Sequence, residues 1–106
     1  MPDVYRALGD STRRHIMKML KEKSMTQKEI VEEFDISQPA IKKHLNVLLE
    51  EELITATVQG KYRLYTLKLD SLQRAYSEML QYIGDLLDDK LASLKNYVEK
   101  GEMKDD

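Results

Sequence analysis

The chain has 106 residues, 42% apolar and 34% charged, with six tyrosines, one phenylalanine, four glycines and two prolines, an ordinary balance for one folded domain with a modest core. It contains no cysteine, which excludes disulfides, thiolate metal sites and cysteine nucleophiles together. The net charge of −2 hides an asymmetry: residues 1–68 hold 12 basic against 10 acidic side chains and residues 69–106 hold 5 against 9, so the acid is concentrated toward the end.

Residues Asp3 to Leu8 predict a short helix closed by Gly9, after which Asp10 or Ser11 caps a second helix running to about Lys23 with an apolar stripe of Ile16, Met19 and Leu20. Thr26 with Glu29 three residues on forms a capping box, flanked by Met25 and Ile30 in the positions of a hydrophobic staple. A third helix is therefore expected from Gln27 to near Asp35, burying Ile30, Val31 and Phe34. After a turn of about three residues, Ser37 and Pro39 supply a new cap and a first-turn proline. The fourth helix is expected from Gln38 to Glu51, burying Ile41, Leu45, Leu48 and Leu49.

Beyond Leu53 the apolar period changes from 3.6 to 2. Ile54, Ala56 and Val58 alternate with polar residues, and a second strand spans Tyr62 to Leu67. A Gly60-Lys61 turn of type II′ pairs Ile54 with Leu67, Ala56 with Tyr65 and Val58 with Arg63. From Leu69 onward an apolar stripe predicts one helix of roughly eight turns, reaching about residue 100. Its stripe, Leu72, Tyr76, Met79, Leu80, Ile83, Leu87 and Leu91, is too long for a small domain to cover, so the expected partner is a second copy of the chain. The expected organisation is a winged helix-turn-helix at 1–68, mainly α with a small β-hairpin, then a dimerisation helix at 69–100 and a disordered tail at 101–106.

At about 100° per residue, placing Ile41, Leu45 and Leu48 inward turns Lys43, Pro39, Asn46 and Glu50 outward, with Lys42 on one shoulder. Ser37 and Gln38 stand at the start of the same helix. These side chains carry the cations and hydrogen-bonding groups with which a recognition helix reads a major groove. The hairpin tip adds Gln59, Lys61 and Arg63, suited to phosphates or a minor groove. His44 sits at the helix edge, where packing or a phosphate hydrogen bond is its expected role. His15 is expected to be a partly buried helix residue and not a ligand. Arg13 and Arg14 are equally suited to DNA backbone and to an intramolecular ion pair.

Three separated stretches carry a resemblance: Ala7-Leu8-Gly9-Asp10-Ser11-Thr12-Arg13-Arg14-His15-Ile16, Ile36-Ser37-Gln38-Pro39-Ala40-Ile41-Lys42-Lys43-His44-Leu45, and Gly60-Lys61 with Tyr65-Thr66-Leu67. In order and spacing they resemble the ArsR family of repressors over residues 3–68. The resemblance implies a homodimeric winged helix that represses from a near-palindromic operator, with its first and last helices at the dimer interface. It also implies base reading by Gln38, Pro39, Lys42 and Lys43. Lys42 departs from the serine frequent at that position, which bears on the operator sequence.

The metal sensors of that family use cysteines near the third helix, or His with Asp or Glu on the last helix. This chain has no cysteine and no His in the last helix, so it resembles the metal-independent branch, in which a regulatory partner protein is a further expected partner. Asp85, Asp88 and Asp89 read as solvated surface. No cofactor is expected. Neither a glycine-rich phosphate loop nor a paired His and acid is present, so catalysis is not expected. The rival reading is a winged helix that docks on another protein and leaves DNA alone. With no apolar run long enough to span a bilayer and no basic leader before Pro2-Asp3, the expected location is the cytoplasm.

Overall fold

The elements run α1 (Val4–Leu8), α2 (Ser11–Glu22), β1 (Met25–Thr26), α3 (Gln27–Glu32), α4 (Gln38–Glu50), β2 (Ile54–Gln59), β3 (Tyr62–Leu67) and α5 (Asp70–Leu86). They are drawn from a computed structural model that describes residues 2–88 and 90. These residues fall into two units that divide between Arg74 and Ala75.

Short polar side chains set most of the helix starts. Asp3 accepts from the Arg6 N–H before α1, Asp10 from the Thr12 and Arg13 N–H groups before α2, and Ser37 from the Ala40 N–H before α4. Each satisfies a backbone donor that the first helical turn leaves without a partner. The expected capping box is present: Thr26 Oγ1 accepts from the Glu29 N–H, while Glu29 Oε1 accepts from the Thr26 N–H at 2.9 Å. Helix α3 ends at Glu32, earlier than expected, because the Glu33 and Phe34 N–H groups turn back to the Ile30 and Val31 carbonyls in a tightened last turn. Five residues, 33–37, therefore separate α3 from α4 instead of about three.

Helix α4 closes in a Schellman arrangement. The Leu53 N–H reaches the Leu48 carbonyl at 2.9 Å and the Glu52 N–H the Leu49 carbonyl at 3.1 Å. Glu52 stands at the left-handed position of that motif with φ of 59°. Leu53 and Leu48, which the motif brings together, are both fully buried. The chain leaves this cap directly into β2.

The hairpin has the expected register: Ile54 faces Leu67, Ala56 faces Tyr65 and Val58 faces Arg63. Gly60 has φ of 60°, whereas Lys61 does not share the positive region, which fits a type II′ turn. The sheet is not a hairpin alone. Met25 and Thr26 pair antiparallel with Tyr65 and Leu64, giving three strands in the order β1-β3-β2 with β3 in the middle.

The core of the first unit is built from Ile16, Leu20, Ile30, Ile41, Leu45, Leu48, Leu53 and Tyr65. Met17 joins it, while Met19 is only half-buried. The expected inward face of α4 is the observed one, apart from half-buried Leu49. In the second unit α5 continues from Ala75 to Leu86, and Tyr76, Leu80, Tyr82, Ile83, Leu86 and Leu87 are exposed, Tyr76 at 66% and Leu80 at 54%. Leu91, the helix expected over 91–100 and the tail at 101–106 lie outside the described residues. Among the described residues no helix is long and apolar enough to cross a membrane.

Candidate nucleic-acid interface

Burial of Ile41, Leu45 and Leu48 fixes the rotation of α4, and with it which side chains are offered to a partner. Ser37, Gln38, Pro39, Lys43, Asn46 and Glu50 are exposed, and Lys42 is half-buried beside them. The outward face derived from helical periodicity is therefore the one the packing leaves open. The Ser37 hydroxyl oxygen is engaged as the helix cap at 3.2 Å from the Ala40 nitrogen, which leaves its O–H to donate elsewhere.

At the other candidate surface, Gln59, Gly60, Lys61, Tyr62 and Arg63 are all exposed at the hairpin tip, and Val58 beside them is 72% exposed. Arg63 is held over the Tyr65 ring, 5.6 Å from its centroid, which restricts the guanidinium without neutralising it. Among the described residues Lys42, Lys43, Lys61 and Arg63 make no ion pair with a carboxylate, whereas Arg6, Lys23 and Lys68 do. The outward cations of α4 and of the hairpin thus keep their charge available for a polyanion.

The base of α4 is tied to α1 by charge. Glu51, nearly buried, accepts from the Asp3 N–H at 2.8 Å through Oε1 and from Arg6 at 2.6 Å through Oε2, and Arg6 also reaches Glu50 at 3.0 Å. The Asp3 N–H and the Arg6 guanidinium together hold the Glu51 carboxyl below its ordinary range, and the same two glutamates raise Arg6. In α3 the Thr26 N–H and hydroxyl hold Glu29 down in the same way. Partial burial works against ionisation of Asp10, but the N–H groups of Arg13 and Thr12 outweigh it and lower that carboxyl too.

Arg13 and Arg14 do something the sequence did not disclose. Arg13 donates from Nε to the Ala7 carbonyl at 2.8 Å and from Nη2 to the Arg6 carbonyl at 2.9 Å, and Arg14 donates from Nη1 to the Leu8 carbonyl at 2.6 Å. They satisfy the carbonyls that end α1; of the two roles expected for them, DNA backbone or an intramolecular ion pair, the ion pair is not formed among the described residues, since neither meets a carboxylate within salt-bridge distance. The signal was available in principle: a five-residue helix leaves most of its carbonyls unpaired, and two arginines follow one turn later.

His44 is half-buried and turned toward α2, with Nδ1 3.2 Å from Arg13 Nη1 and 3.9 Å from Asp10 Oδ1. His15 is exposed and packs its ring edge against Phe34, with centroids 4.9 Å apart. Among the described residues no three His, Asp or Glu side chains gather in a way that would hold a metal ion.

The profile of the bacterial regulatory proteins of the arsR family matches residues 10–56, from the cap of α2 to the first half of β2. The transcriptional repressor SdpR of Bacillus subtilis (strain 168) is 40% identical over 84 residues, 79% of this chain and 93% of that protein. The chain belongs to the arsR family. Among solved structures, a possible transcriptional regulator for arsenical resistance superposes with a TM-score of 0.74 at 28% identity, covering 88% of this chain and 97% of the other. An ArsR-like transcriptional regulator from Rhodococcus sp. RHA1 gives 0.69 at 29% identity, covering 88% and 87%. This arsR-family chain is accordingly a transcriptional regulator with a winged helix-turn-helix fold, and not an enzyme. In that fold α3 and α4 are the helix-turn-helix pair and β2–β3 the wing.

Proposed function

We propose that this regulator is a homodimeric repressor that grips a near-palindromic operator with α4 and the wing of each copy, without sensing a metal. The observation that carries the reading is the set of cations that meet no carboxylate among the described residues, Lys42 and Lys43 on the open face of α4 and Lys61 and Arg63 at the wing. Gln38, Pro39, Lys42 and Lys43 are assigned to base edges, with Ser37 and Asn46 beside them. Gln59, Lys61 and Arg63 are assigned to the backbone or a minor groove, and His44 to a phosphate at the helix edge. The domain that does this is residues 1–68.

Dimerisation is assigned to the apolar stripe of α5. Tyr76, Leu80, Ile83 and Leu87 are exposed, and Leu72 and Met79 are half-buried. Leu86 and Tyr82 widen the stripe, and a run of this size exposed to water favours a second copy. Repression is supported by the relative SdpR, itself named a transcriptional repressor. The lack of cysteine supports control by a partner protein or by concentration and not by a soft metal, and operator binding implies a cytoplasmic protein.

Selection of genomic fragments by the purified chain tests the reading: enrichment of one inverted repeat supports it, and recovery of random fragments or none refutes it. Sedimentation of a chain truncated after Asp70 tests the dimer, which should be lost. Dimers retained at micromolar concentration would contradict the role given to α5.

A further inference from the structure

We propose that Arg13 is a positioning residue for DNA binding: its guanidinium fixes the His44 ring as the neutral tautomer with the proton on Nε2, and that N–H is the donor offered to a DNA phosphate. The proposal rests on the reading of α4 as the recognition helix. The guanidinium carries only donors, so the 3.2 Å contact from Arg13 Nη1 requires a lone pair on His44 Nδ1. With Nδ1 accepting, the ring hydrogen of a neutral imidazole lies on Nε2. The His44 side chain keeps 21% of its surface open, and among the described residues Nε2 has no hydrogen-bond partner and is not one of the buried polar atoms left without one, so it is the ring nitrogen left for an outside acceptor.

The competing arrangement has a proton on Nδ1 directed at Asp10 Oδ1, 3.9 Å away. That oxygen already accepts the Thr12 and Arg13 N–H groups at 2.8 and 3.2 Å, and a protonated Nδ1 would set one donor against another at Arg13. Arg13 is itself fixed, because its remaining nitrogens donate to the Ala7 and Arg6 carbonyls. The end of α1, the start of α2 and the edge of α4 are thereby joined through one planar group. A neutral donor held this way adds a directed hydrogen bond to a phosphate oxygen without contributing a charge of its own.

Two readouts on the full chain test this. A long-range proton–nitrogen correlation spectrum identifies which ring nitrogen of His44 is protonated, with His15→Gln used to assign the other ring. The wild type should show a bare Nδ1, and Arg13→Lys should release the ring into a mixture. Anisotropy with a mixed-sequence B-form duplex across a salt series should show His44→Phe weakening binding about tenfold with an unchanged salt slope, because no cation is lost. His44→Gln, which keeps an acceptor and a donor, should restore part of the affinity. A proton on Nδ1 in the wild type overturns the proposal. So does undiminished binding by His44→Phe, and if Lys42→Ala/Lys43→Ala still flattens the slope, the recognition-helix reading stands without it. A wild type that ignores the duplex at low salt overturns both.

Discussion

The joint between α4 and β2 turns on Glu52, and substitution there has a sign that structure alone decides. At an ordinary exposed position glycine is less stable than alanine by about 0.5–1 kcal/mol, because it has more freedom to lose on folding. Glu52 instead holds φ of 59°, where a side chain costs about 1–2 kcal/mol and glycine costs nothing. Among the described residues the Glu52 side chain also pairs with half-buried Lys68 at 3.7 Å, a solvent-accessible contact worth at most about 1 kcal/mol and lost equally in both variants. Glu52→Gly should therefore be more stable than Glu52→Ala by about 0.5–1 kcal/mol, a gap in Tm of roughly 2–8 °C. Thermal unfolding followed by circular dichroism, at one fixed protein concentration so that any self-association is held constant, measures it. If alanine equals or exceeds glycine, position 52 does not carry the left-handed cap, and the geometry joining recognition helix to wing is wrong.

Tyr65 is fully buried, and among the described residues its hydroxyl has no partner, so Tyr65→Phe should leave the urea midpoint unchanged or raise it by up to about 1–3 kcal/mol equivalent. A clear loss of stability would mean that the hydroxyl is bonded. Ser37→Ala removes the cap of α4 and should cost about 1 kcal/mol by the same assay; no loss would show that the recognition helix does not depend on it. Glu51, Glu29 and Asp10 all titrate below their ordinary values in the folded chain, so as pH falls through about 4.5 the unfolded state takes up protons first and stability declines. Glu51→Gln should flatten part of that decline in stability measured between about pH 5 and 3, and an unaltered curve would deny the Asp3 and Arg6 contacts their role.

Local chemistry made much of this fold legible. The Thr26 and Glu29 box, the Gly60 turn with its register and the outward face of α4 each depend on residues within a few positions of one another, where periodicity and capping act directly. Strand β1 was missed because two residues show no period, and their partners Tyr65 and Leu64 lie some 40 positions away. The early end of α3 follows from carbonyls captured one residue sooner than an α-helix requires, a choice that no single side chain announces. In the candidate interface, the identity of the exposed cations was readable, but the fixing of His44 by Arg13 was not. It arises from the docking of α1, α2 and α4, which brings together groups 31 residues apart.

In the proposed complex Lys42 and Lys43 enter the major groove from the open face of α4, where their charge, besides meeting base edges, neutralises the flanking phosphates. Affinity for the duplex recovered from genomic selection, measured against salt for the wild type and for a folded Lys42→Ala/Lys43→Ala variant, tests it directly. Each neutralised phosphate contributes about 0.9 to the slope of log affinity against log salt, so a dimer that loses both pairs should show a slope shallower by up to about 3–4. An equal slope and equal affinity in the two proteins would contradict the assignment of α4 as the DNA-reading helix.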